Sequence, residues 1–128
     1  MRLSQYARDR YEKDPRFLKK TNIGNVHGLN LFCDTLEQTF LIRAFAEFEA
    51  TLRDFWREHL KRTSAPRMRD LIESIAKKRS VKSTMEAHKV RDYRNFLIHG
   101  GPMPSPVSLP EGCRIMKSFM SHLPPKWA

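Results

Sequence analysis

Between residues 91 and 101 the chain reads Arg91-Asp92-Tyr93-Arg94-Asn95-Phe96-Leu97-Ile98-His99-Gly100-Gly101. An imidazole titrates near neutrality and can move protons in either direction. A guanidinium stays charged and grips phosphate oxygens through parallel N–H donors. Together these groups suit cleavage of a phosphodiester whose own 2′-hydroxyl is the nucleophile. That reaction needs a base for the hydroxyl proton, an acid for the leaving 5′-oxygen and cations for the phosphorane charge; the electrostatic contribution is commonly the largest. The residue types assign His99 to the proton work and Arg94 to the scissile phosphate. Asn95 is expected to position the phosphate or to hold the His99 ring. Arg91 is expected to take flanking phosphates, with Lys77, Lys78, Arg79 and Lys82 just upstream.

These residues must be positioned by a helix. Ser83 is the expected cap at its start. Its end is set by Gly100-Gly101-Pro102 and the proline-rich stretch that follows, which cannot be helical. On such a helix Asn95 and His99 share a face, with His88 and Arg91 near it. Val90, Tyr93, Phe96 and Leu97 form the apolar side. Arg94 lies roughly 140° from His99 around an ideal helix. The two serve one ligand only if the helix unwinds near Gly100 or a second subunit supplies one of them.

Arg94-Asn95-Phe96-Leu97-Ile98-His99-Gly100 resembles the Arg-Asn-x-x-x-His signature of the HEPN superfamily. A long upstream helix, Phe45-Ala46-Glu47-Phe48-Glu49-Ala50-Thr51-Leu52, is similar to that family's aromatic and acidic long helix. The two together cover residues 34 to 123. The resemblance implies a small all-helical domain and a metal-independent endoribonuclease of the toxin or defence type. It also implies a homodimer that joins two Arg–His motifs in one cleft, and an antitoxin or defence complex as regulatory partner. One departure stands out. Toxins of this family that pair with a nucleotidyltransferase often carry tyrosine two residues after the histidine, where this chain has Gly101, so that mode of control is in doubt.

The remaining elements follow from apolar spacing. Leu41, Phe45, Phe48, Leu52, Phe55 and His59 recur at steps of four and three, which predicts a helix from about Asp34 to Arg62, opened by Asp34-Thr35 with Glu37 and Gln38. Leu36, Phe40, Ala44 and Trp56 widen its stripe, so the helix is expected both to cross the bundle centre and to lend a side to a partner subunit. Glu49 falls within the stripe and must be paired. The candidates are an arginine of a neighbouring helix or, in a supporting role at the site, Arg91 or Arg94. Thr63-Ser64-Ala65-Pro66 forms a turn. Met68, Leu71, Ile72, Ile75 and Ala76 define a short helix, and Met116, Phe119, Met120 and Leu123 a last one over residues 111–123. Residues 2–13 suggest a charged helix and residues 15–33 an irregular strap. The expected fold is an all-α bundle with four main helices in a single domain, residues 1–128, with core helices over about 34–123.

Composition sets the partner class. At 128 residues, 24 Lys and Arg against 14 Asp and Glu give a formal charge of +10. Such an excess points to a polyanion, most simply RNA. Cys33 and Cys113 lack metal-site or Cys-x-x-Cys spacing and read as reduced thiols. His27, His59, His88 and His122 have no ligand-like partners, although His88 lies on the Asn95–His99 side. No metal or cofactor is expected. No apolar signal segment or membrane-length run is seen, which predicts a cytoplasmic protein without a membrane partner. Two other readings fit the same residues. One is a catalytically silent HEPN-like module that binds RNA or protein. The other is a small basic DNA-binding protein, against which the second helix offers few side chains suited to base edges.

Overall fold

The structure, a computed structural model, describes residues 26–125. The helix expected over residues 2–13 and most of the strap lie outside them. Among the described residues there are four α-helices and no strand. We label them α1 (Val26–Asp54), α2 (Met68–Lys78), α3 (Met85–His99) and α4 (Leu109–Met120). The all-α expectation is met. The chain divides into two compact units, Met1–Phe40 and Leu41–Ala128.

Helix α1 begins eight residues before the expected Asp34 start. Thr35 does not cap it, because its hydroxyl donates to the Leu31 carbonyl one turn back at 2.9 Å. A threonine can satisfy its hydroxyl this way inside a helix. In the first unit Leu29 and Cys33, four residues apart, are buried while Leu31 and Phe32 are exposed. Residues 26–33 are therefore helical, and not strap.

In the second unit Leu41, Phe45, Phe48, Leu52 and Phe55 are each buried, in the four–three rhythm of the sequence. The α-helix ends sooner than expected. Phe55–His59 forms a π-helical turn, with the Leu60 N–H donating to the Phe55 carbonyl at 3.2 Å. His59 is exposed, and its ring stacks on buried Phe55 at 4.9 Å. The loop to α2 is pinned twice. The Trp56 indole donates to the Ser64 carbonyl at 3.0 Å, and Arg53 Nη1 to the Pro66 carbonyl at 2.9 Å.

Helix α3 packs against both α2 and α4. Its inward residues Ala87, Val90 and Tyr93 meet a core that includes Leu71, Ile72 and Ile75 of α2 and Ile115, Met116 and Phe119 of α4. Helix α1 closes on α4 through an edge-on contact of Phe48 with Phe119, with centroids 5.7 Å apart. Gly112 permits that approach, since a Cβ there would lie 2.6 Å from Leu41 Cδ1. Helix α4 starts two residues before the predicted 111, at Leu109, because Ser108 is its cap and accepts from the Glu111 N–H at 3.2 Å. A serine followed by proline inside the first turn is a familiar helix start.

Candidate functional site

Helix α3 carries the motif, and both of its ends are set locally. Thr84 holds the cap position without capping through its side chain, and the expected cap Ser83 takes the Met85 N–H at 3.3 Å instead. At the other end the Gly100 N–H donates to the Phe96 carbonyl at 2.8 Å, with Gly100 at φ 76° and Gly101 at φ 98°. Only glycine enters such conformations cheaply. His99 is thus the last helical residue, and it is exposed.

Arg94 has a different environment. It lies one and two turns beyond Val90 and Ala87 on the inward side, half-buried. Its guanidinium carbon sits over the Phe45 ring of α1, 5.4 Å from the centroid. Nη1 donates to the Asn95 Oδ1 at 3.0 Å, and Nε is buried without a hydrogen-bond partner among the described residues. A buried donor left unpaired is costly, so the guanidinium has unspent hydrogen-bonding capacity.

Asn95 is exposed on the His99 face, but its carbonyl oxygen is taken by Arg94 and not by His99. Because α3 stays α-helical through His99, the unwinding that would unite Arg94 and His99 within one chain does not occur. Arg94 faces the core side of the helix and His99 the solvent side.

Several supporting residues differ from expectation. Arg91 is committed to its neighbour Asp92, with Nη2 2.6 Å from Oδ1. Among the described residues Glu49 pairs with neither Arg91 nor Arg94, nor with an arginine of another helix. Its partner is Arg53 on its own helix at 2.9 Å, one turn on, where the shared exposure of both side chains avoids any deeper burial of charge. The basic segment lies at the wrong end of α3 for the scissile position. Met85 and His99 are separated by about 21 Å along the axis, and Lys77, Lys78, Arg79 and Lys82 precede Met85. Lys77, Lys78 and Lys82 are exposed with no ion pair among the described residues. Arg79 is a structural tie, donating from Nε to the His122 carbonyl at 2.9 Å.

His88 joins a cluster that spacing alone did not reveal. Its Nε2 lies 2.6 Å from Glu73 Oε1, and the Thr84 hydroxyl donates to the same oxygen at 2.7 Å. The hydrogen bond from Thr84, then that from His88, hold the Glu73 carboxyl below its ordinary value. His88 Nδ1 is buried without a partner among the described residues. The ring therefore ties α2 to α3 and does not face the Asn95–His99 surface as an open proton carrier. Glu73 read as an outer residue of its helix, and only the α2–α3 crossing brings it to Thr84 and His88.

Among the described residues no group of three His, Cys, Asp or Glu could hold a metal ion, and no helix is long and apolar enough to cross a membrane. Cys33 and Cys113 form no disulfide. No family model, curated protein or solved structure matches the chain.

Proposed function

We propose that this protein is a metal-independent endoribonuclease whose site combines Arg94 and His99 from two copies of the chain. The reading is carried by Arg94, a half-buried guanidinium held in place by Phe45 and Asn95 on the motif helix. Exposed His99 and the +10 formal charge add to it. A phosphodiester oxygen is a natural partner for a guanidinium. His99 takes the proton of the ribose 2′-hydroxyl as its oxygen attacks phosphorus. Arg94 stabilises the charge that gathers on the phosphorane oxygens. The bond from phosphorus to the 5′-oxygen breaks, and the second copy's histidine protonates the leaving oxygen. The products are a 2′,3′-cyclic phosphate and a 5′-hydroxyl.

The orientation of Arg94 and His99 to different sides of α3 supports the two-chain arrangement, and equally a second reading. In that reading the motif is catalytically silent, and Arg94 only packs on Phe45 in a module that binds RNA or protein. Any antitoxin or defence-complex partner belongs to either reading. Incubation of labelled single-stranded RNA in EDTA with wild type and His99→Ala, followed by end analysis, separates them. Cleavage by wild type alone with cyclic or 3′-phosphate ends is expected. Binding without cleavage by either protein favours the silent module, and cleavage that survives in His99→Ala removes His99 from the mechanism.

A further inference from the structure

A cavity of about 280 Å³ opens where the α2–α3 loop meets the end of α4. It lies at the opposite end of α3 from His99, and neither Arg94 nor His99 lines it. Its floor is apolar, made by Ala87, Ile115 and Phe119. Its rim is polar, with hydroxyls from Ser80, Ser83 and Ser118 and the ammonium of Lys82. Lys82 has no ion pair among the described residues, so its charge is available. The one carboxylate on the rim, Glu86, is offset by Arg114 at 3.2 Å. His122 completes the wall with Nδ1 3.1 Å from the Ser118 carbonyl. A carbonyl only accepts, so Nδ1 carries the hydrogen, and in the neutral ring Nε2 remains as an acceptor.

The cavity is held open by the fold. Arg79 ties the loop to the His122 carbonyl at 2.9 Å, which clamps one wall to the other. Ser80, beside it, has a φ of 58°, a left-handed conformation that non-glycine residues rarely adopt and that recurs at ligand clamps. Ligand clefts combine an apolar lining with a few placed polar groups and usually begin at roughly 300 Å³. This one is near that lower limit, sized for a base, with a sugar and phosphate extending over its open polar rim.

We propose that this cavity binds a single nucleotide, with the base on the Ala87–Ile115–Phe119 floor and the phosphate at Lys82 and the serine hydroxyls. A base has two apolar faces and an edge of donors and acceptors, which matches the floor and His122. Its phosphate matches an unpaired ammonium with hydroxyl donors. The nucleotide is either free or one unit of a single strand, since the recognition chemistry is the same. The site stands apart from the ribonuclease reading and is tested without it.

The test is calorimetric titration of wild type, Lys82→Ala, Ser118→Trp and His99→Ala with AMP, adenosine, ribose 5-phosphate and a 2′-O-methyl oligoadenylate that cannot be cleaved. Lys82 and Ser118 are exposed, so both variants are expected to fold, which circular dichroism checks. AMP should bind wild type and His99→Ala alike, and adenosine and ribose 5-phosphate more weakly. Loss of the charge-assisted contact should weaken AMP by about tenfold or more in Lys82→Ala, and Ser118→Trp should fill the cavity and abolish binding. An oligonucleotide that competes with AMP, or binds where AMP does not and is lost in both variants, identifies a strand as the source. AMP binding without competition identifies the free nucleotide. The proposal is overturned if neither ligand binds wild type, if ribose 5-phosphate equals AMP, or if Lys82→Ala and Ser118→Trp leave the affinity unchanged.

Discussion

His99 and Arg94 differ in what their surroundings ask of them. His99 is exposed at a helix end, so its replacement should cost little stability. If it is the general acid–base, His99→Ala should lower RNA cleavage roughly 10²- to 10⁴-fold, with the urea midpoint nearly unchanged. Gly112 presents the opposite case. An alanine methyl there would press on Leu41 at 2.6 Å inside the α1–α4 contact. Overpacking of this kind costs about 1–3 kcal/mol, so Gly112→Ala should unfold at clearly lower urea concentration. An unchanged midpoint would show that Leu41 can turn aside. Nothing in the spacing of the sequence marked Gly112, because its role comes from Leu41 on a helix far away in the chain.

At the scale of elements, α3 is a rod held along its length by α2, α4 and α1. Its first turn is tied to α2 through Glu73, which receives Thr84 and His88 and lies in the field of Arg69. The sign of the acid dependence follows from the lowered Glu73 value. The folded state favours the ionised carboxyl, so this contribution is fully present above the ordinary value of 4.5 and is lost as pH falls through the lowered one. Wild type should therefore exceed Glu73→Gln in urea midpoint at neutral pH, and the gap should narrow on acidification below 4.5. A gap independent of pH would mean that the carboxylate charge is not what Thr84 and His88 recognise.

At the scale of the whole molecule, one histidine per motif and an arginine on another side of the helix make a two-chain site the economical arrangement. Mixing wild type with an equal amount of His99→Ala protein tests it directly. The mechanism uses the histidine of both copies, and about a quarter of the randomly reassorted pairs in a two-fold dimer keep both. Activity should fall to about a quarter of that of the same total amount of wild type. Activity at about half, in simple proportion to the wild-type chains after verified exchange of subunits, would show that each chain acts alone.

Local pattern alone determined the helical class, the buried rhythm of Leu41, Phe45, Phe48, Leu52 and Phe55, and the stop at Gly100. Each depends on neighbours three or four residues away, or on one backbone conformation open chiefly to glycine. The same pattern misplaced the start of α1, since a threonine inside a helix and one at its cap look alike until the acceptor is known. It also assigned Glu49 to a distant arginine when Arg53 was one turn away. Tertiary structure alone decided that Arg94 lies on Phe45, that Glu73 gathers Thr84 and His88, and that Lys82 stands on the rim of a cavity rather than beside His99. These are contacts between separate helices, and their geometry is set by how whole apolar faces pack, which no spacing within one segment encodes.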